Sequence, residues 1–188
     1  LPPHTPSPHR IGILSTMYIF HHLPKCGGTS VVSMIDQWFI QVRDYQDWGE
    51  DAASFDQRKL VLSKYDEKHC LCGHFATEGS YLHQRYPEVI NNPAHQIFTF
   101  VWDPLELKLS LYYFLKSQNK IDDSSELKKY VMYNPNYIAW VMGCDRENFR
   151  TILDHYFFIG LTEELQKSVD YLARMIDKPS MTVPVLNA

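Results

Sequence analysis

The sequence predicts an α/β fold in which a central parallel sheet lies between layers of helices. Three observations lead there. Short apolar runs suited to buried strands recur along the 188 residues. Each strand-like run is separated from the next by segments of helical periodicity. A glycine pair also stands directly between the first strand and its helix.

Met17-Tyr18-Ile19-Phe20-His21-His22 is the first apolar and aromatic run. Leu23-Pro24 ends it, and Gly27-Gly28 follow as turn formers. Thr29 or Ser30 can then cap a helix on which Val31, Val32, Met34, Ile35 and Trp38 recur at helical spacing. Positions 41–63 are polar with scattered acidic and aromatic residues, and no element is assigned to them. His69-Cys70-Leu71-Cys72-Gly73 is the second strand, and Gln96-Ile97-Phe98-Thr99-Phe100-Val101 the third. Asp103-Pro104 supplies an N-cap with proline at the first helical position. The helix that follows, from Leu105 to about Lys116, is apolar on most faces and is expected to be buried. Positions 116–129 are charged and solvated, and positions 134–137 turn into another short helix. Tyr156-Phe157-Phe158-Ile159-Gly160 is the fourth strand. Thr162 caps a last helix running from Glu163 to about Met175, with Leu165, Val169, Leu172 and Met175 on one face.

A chain of this length suits one domain, placed at positions 17–188. Positions 1–16 carry several prolines and no initiating Met. They read as a trimmed extension rather than a signal peptide, since a charged start followed by an apolar block is missing. Positions 183–188 stop abruptly, so a further tail is expected. The net charge of −4 argues against a general nucleic-acid partner, which would leave a basic surplus. No run of about 18 apolar residues is present to span a membrane. The four cysteines do not form a disulfide framework and are read as reduced thiols. His69, Cys70, Cys72 and His74 lack the second ligand pair of a closed zinc site, so no metal is expected. On a strand Cys70 and Cys72 point one way and His69 the other, which suits core thiols.

Ligands of parallel α/β sheets sit beyond the carboxyl ends of the strands. A glycine loop there lets backbone N–H groups approach an anion, and the helix N-terminus adds a favourable dipole. Lys25 contributes a point charge and Thr29 and Ser30 contribute hydroxyls, so Lys25, Cys26, Gly27, Gly28, Thr29 and Ser30 form a candidate phosphate cradle. A plain tight turn is the alternative. An ATPase loop needs its lysine after the last glycine, whereas Lys25 precedes both. A cysteine phosphatase needs an arginine six positions after its cysteine, where this chain has Val32. Cys26 is either a thiol activated by the helix N-terminus or simply a small loop residue.

The run Phe20-His21-His22-Leu23-Pro24-Lys25-Cys26-Gly27-Gly28-Thr29-Ser30 resembles the 5′-phosphosulfate-binding loop of sulfotransferases, in particular the carbohydrate 2-O-sulfotransferases of the Golgi and their soluble bacterial relatives. The similarity continues through Gly73-His74-Phe75, through positions 98–113, and into Phe158-Ile159-Gly160-Leu161-Thr162-Glu163. The resemblance implies a three-layer, P-loop-like fold and a donor, 3′-phosphoadenosine 5′-phosphosulfate, leaving as 3′-phosphoadenosine 5′-phosphate. It implies that Lys25 neutralises charge developing on the transferred group and that the loop holds the 5′-phosphate without a metal. His74 matches the family's general base for a hydroxyl-bearing acceptor, a carbohydrate or small molecule. His22 is a second histidine close to Lys25. The implied setting is a bacterial cytoplasm, or a Golgi lumen if an anchor has been removed.

The resemblance breaks at the other half of the nucleotide grip. The family shows Arg-Asp-Pro after the third strand, then a second Arg, then Ser. Here the two arginine positions hold Trp102 and Leu107, Ser110 keeps its spacing, and Lys108 is nearby. An indole offers one N–H and no charge, so it cannot replace a bidentate guanidinium, although it could stack on adenine. Three functions are therefore carried forward: an active sulfotransferase with an altered 3′-phosphate grip, a catalytically weak nucleotide-binding or scaffold domain, and a P-loop kinase.

Overall fold

The computed structural model describes residues 16–47, 49–122 and 126–184. Positions 1–15 and 185–188, where an extension and a truncated tail were expected, lie outside them.

The strands are β1 (Tyr18–His21), β2 (Ile40–Tyr45), β3 (His69–His74), β4 (Gln96–Val101) and β5 (Tyr156–Leu161). The helices are α1 (Gly28–Trp38), α2 (Ala52–Gln57), α3 (Leu82–Arg85), α4 (Pro87–Asn91), α5 (Pro104–Ser117), α6 (Leu127–Met132), α7 (Tyr137–Val141), α8 (Phe149–Leu153) and α9 (Leu165–Met175). The strands pair in the order β2-β3-β1-β4-β5, and all four pairings are parallel. Because β1 pairs on one side with β3 and on the other with β4, the strand order switches direction at its carboxyl end. That is where an open α/β sheet leaves a crevice.

The alternation of side chains along the strands builds the layers. Phe20, Cys70, Cys72, Phe98 and Phe100 pack against Val31, Met34 and Ile35 of α1 and Val169 and Leu172 of α9. Met17, Ile19, Leu71 and Ile97 face the opposite side and meet Phe55, Phe75, Leu82, Tyr86 and Val89. The expected three-layer α/β architecture is present, and Cys70 and Cys72 are core thiols on one face. A third cluster of Leu23, Cys26, Leu107, Val141 and Met142 underlies the loop after β1.

Several elements differ from the sequence expectation. The sheet has a fifth strand, β2, in the stretch left unassigned. It lies at a sheet edge, and its inward positions are Val42 and Asp44, so a buried carboxylate breaks the apolar alternation that marks a strand. Asp44 is satisfied there by Arg85 and Tyr86, residues remote in sequence. Helix α1 is capped by Gly27 in a left-handed conformation (φ 70°), not by Thr29 or Ser30, which fall in its first turn. Thr162 begins a 3₁₀ turn, and α9 starts only at Leu165. Asp103 does cap α5, accepting from the N–H groups of Leu105 and Glu106 with Pro104 at the first position. Only one side of α5 is buried, however: Leu105, Tyr113 and Phe114 remain exposed. No helix among the described residues is long and apolar enough to cross a membrane.

Candidate functional site

The loop between β1 and α1 closes around an open concavity. Lys25 and Gly27 both adopt positive φ (64° and 70°). At Gly27 a side chain would have ordinary room but a strained backbone. At Gly28 the limit is space, since a Cβ would fall inside the ring of His22. No side chain caps α1 at Gly27, and Gly28, Thr29 and Ser30 of its first turn line the concavity, where a helix N-terminus favours an anion.

The cavity at this loop measures about 390 Å³, within the size range of small-molecule sites. Lys25, Gly27, Gly28, Thr29 and Ser30 line one wall, and Trp102 and Ser110 line another. The structure thus brings both halves of the sequence-predicted grip into one space. Sequence reasoning missed the third wall, formed at the β5–α9 corner by Thr162, Leu165 and Gln166 with Val183 and Pro184. The Thr162 hydroxyl oxygen is enclosed and has no hydrogen-bond partner among the described residues. Its position just past a parallel strand is the signal for this wall that the sequence carries. Gln166 ties the chain after α9 into place, donating to the Met181 carbonyl (2.9 Å) and accepting from the Val183 N–H (2.9 Å).

Other predicted residues sit elsewhere. Cys26 points down into the core cluster, 1% exposed, and does not line the cavity. Burial pushes its thiol up to about 12 despite a bond from the Trp102 backbone, so it stays protonated, and the activated-thiol option is lost. Leu107 is buried in the same cluster. Lys108 turns away, donating to the Tyr133 carbonyl (2.9 Å) and lying over the Tyr130 ring at 4.4 Å. Trp102 forms the partition to a second cavity of about 960 Å³, walled also by Ile138, Trp140 and Phe149. The Lys25 ammonium rests 4.7 Å from the centre of the Phe114 ring, with no carboxylate paired to it among the described residues.

Three histidines gather behind the loop. His21 Nδ1 bonds to the Tyr156 hydroxyl (2.6 Å), and His22 Nδ1 to the Tyr45 hydroxyl (3.2 Å). His74, at the end of β3, does not line the cavity; its ring stands edge-on to His22 (4.4 Å between centres) and to Tyr45 (4.7 Å). The Nε2 atoms of His21 and His74 are buried and have no hydrogen-bond partner among the described residues. Burial, reinforced by the other histidines, lowers His21 and His22 to about 3, and burial alone lowers His74 to about 4. All three are neutral at pH 7. An unfolded imidazole titrates near 6.5, so between that value and about 4 the unfolded chain binds more protons than the folded one. Stability is therefore complete above pH 6.5 and declines as pH falls, by about 1.4 kcal/mol per pH unit for each histidine. Urea midpoints are expected to be level from pH 8 to 7 and to drop steeply toward pH 5. A level midpoint down to pH 5 would mean that the cluster is not buried in neutral form.

No family model matches the sequence, and no curated protein matches it. Among solved structures, the chain is similar to mouse sulfotransferase SULT7A1 complexed with PAP, with TM-score 0.53 and 10% identity over 89% of this chain. It is similar also to a sulfotransferase from Alicyclobacillus acidocaldarius, with TM-score 0.52 and 11% identity over 91% of this chain. It spans 61% of the mouse chain and 84% of the bacterial one. At these identities the likeness shows a shared fold, the P-loop-like α/β architecture of those sulfotransferases.

Proposed function

We propose that this chain is a sulfotransferase taking 3′-phosphoadenosine 5′-phosphosulfate as donor and a hydroxyl of a carbohydrate or small molecule as acceptor. The observation that carries the proposal is that one cavity at the switch point of the sheet brings Lys25, Gly27, Gly28, Thr29 and Ser30 together with Trp102 and Ser110. The mouse structure of the same fold was solved with PAP, which supports a nucleotide of that class.

The chemistry follows from charge and position. In-line transfer forms a bond from the acceptor oxygen to sulfur and breaks the bond from sulfur to the 5′-phosphate, whose oxygen keeps the electron pair. Such a reaction depends on orientation and on stabilising developing charge. Loop amides and the Thr29 and Ser30 hydroxyls hold the phosphate, and Lys25 leaves the Phe114 ring to meet the charge. The acceptor's proton goes to His74. His74 Nε2 is enclosed and its ring does not line the cavity, so this role requires the end of β3 to open onto the acceptor.

The competing readings are a weak nucleotide-binding scaffold and a kinase. Calorimetry with 3′-phosphoadenosine 5′-phosphate, with ATP as the comparison, separates them. Binding of the former with no preference for ATP is expected; no binding at millimolar nucleotide would sink the proposal. Trp102 faces the cavity from the position where the resembled family carries arginine. Trp102→Arg is therefore expected to tighten nucleotide binding by about ten- to a hundredfold, the worth of one charge-assisted contact. An unchanged or weaker dissociation constant would displace the 3′-phosphate from this wall.

A further inference from the structure

We infer that His22 is a neutral hydrogen-bond donor to the anion held in the glycine loop, fixed in that role by the Tyr45 hydroxyl. The inference deepens the sulfotransferase proposal and rests on it for the identity of the anion, but the donor role itself requires only an anion in the loop.

The ring of His22 is confined on every side that matters. Phe20 stacks on it at 5.3 Å and 15°, and His74 abuts it edge-on at 4.4 Å. Gly28 supplies the bare surface on which its Nε2 edge lies, the one residue type that leaves the ring this room. Tyr45 holds Nδ1 at 3.2 Å, and no other hydrogen bond is made by the ring among the described residues. Of the three clustered histidines only His22 lines the cavity, and its Nε2 is not among the sealed nitrogens.

The tautomer follows from the Tyr45 contact. A phenol donates well and accepts poorly, because its oxygen lone pair is drawn into the ring, whereas an unprotonated imidazole nitrogen accepts well. Nδ1 therefore accepts from Tyr45, and in a neutral ring the proton must then sit on Nε2. Burial raises Tyr45 far above its ordinary value and depresses His22, so neither is ionised at neutral pH. The result is an Nε2–H at Gly28, on the wall of the cavity that the glycine loop lines, a neutral donor that stabilises negative charge without itself gaining or losing a proton. Tyr45 is a positioning residue, acting through His22.

The test combines nitrogen-15 NMR of labelled histidines with calorimetry, using 3′-phosphoadenosine 5′-phosphate and inorganic pyrophosphate as probes. His22 should show the neutral Nε2–H form at pH 7, and either probe should shift that resonance. His22→Ala should weaken nucleotide binding about ten- to a hundredfold. His22→Gln, whose amide nitrogen can take the place of Nε2, should restore it to within about threefold. Tyr45→Phe should leave His22 a mixture of tautomers. A protonated or Nδ1–H ring in the wild type would overturn the assignment. So would an Nε2 resonance unmoved by pyrophosphate, or equal binding by wild type and a folded His22→Ala. If pyrophosphate shifts Nε2 while the nucleotide does not bind, the donor role stands and the sulfotransferase proposal falls.

Discussion

Replacing Lys25 with alanine is expected to lower sulfuryl transfer by about 10²–10³, the cost of removing one preorganised charge-stabilising group from an enclosed site. The effect should be large because Lys25 is the only lysine or arginine that lines the cavity among the described residues. The two arginine positions of the resembled family's 3′-phosphate grip carry Trp102 and Leu107 here, so neither adds a cation to the cavity. The backbone offers a control for folding. Lys25 has φ 64°, a conformation costing about 1–2 kcal/mol for any residue with a Cβ. Lys25→Gly should therefore be at least as stable as the wild type while remaining as inactive as Lys25→Ala. Transfer assays with labelled donor, run beside thermal melts, check both. A Lys25→Ala activity within about threefold of wild type would remove the lysine from the reaction.

Asp44→Ala is expected to cost about 3–5 kcal/mol of folding stability, because it strands a buried guanidinium. Arg85 bonds the Asp44 carboxylate through Nε (2.7 Å) and Nη2 (3.0 Å), and the Tyr86 hydroxyl adds a third bond at 2.6 Å. Both ionic side chains are 1% exposed. The Arg85 guanidinium also lies 3.6 Å from the centre of the Phe55 ring, with the exposed Asp56 at 3.7 Å as a second ion-pair partner. For a domain of this size the loss corresponds to a melting point lower by about 10 °C. A shift below about 2 °C would show that water or Asp56 takes over the charge. Asp44 precedes Tyr45 in β2, so this ion pair also sets the strand end from which Tyr45 reaches His22.

The sequence made the site's near half legible because the strand, glycine loop and helix are contiguous. Residues 17–38 contain the periodicity, the turn formers and the charge in one stretch. Strand β4 and the Asp103-Pro104 cap were equally clear, being an unbroken apolar run ended by specific turn chemistry. Strand β2 was not, since its inward Asp44 looks like a solvent residue until Arg85 and Tyr86 arrive from about forty positions away. The same holds for the β5–α9 wall. Thr162 and Gln166 look like ordinary helix-start and surface residues, and only the parallel register of β5 beside β4 delivers them to the cavity. His74 was placed correctly at a strand end, but its contact with His22 and Tyr45 depends on three strands ending side by side. Periodicity along one strand does not carry that information.

Cys26, buried beneath the loop, gives the loop an underside as well as a binding face. Lys25 and Gly27 line the cavity above it, while the thiol between them is fastened into the packing of Leu23, Leu107 and Met142. A protonated, enclosed sulfur reacts with alkylating reagents only when the loop lifts off its seat. Its labelling rate is thus a clock for loop detachment rather than a gauge of an activated thiol, and a ligand that clamps the loop from above should slow that clock without ever touching the sulfur.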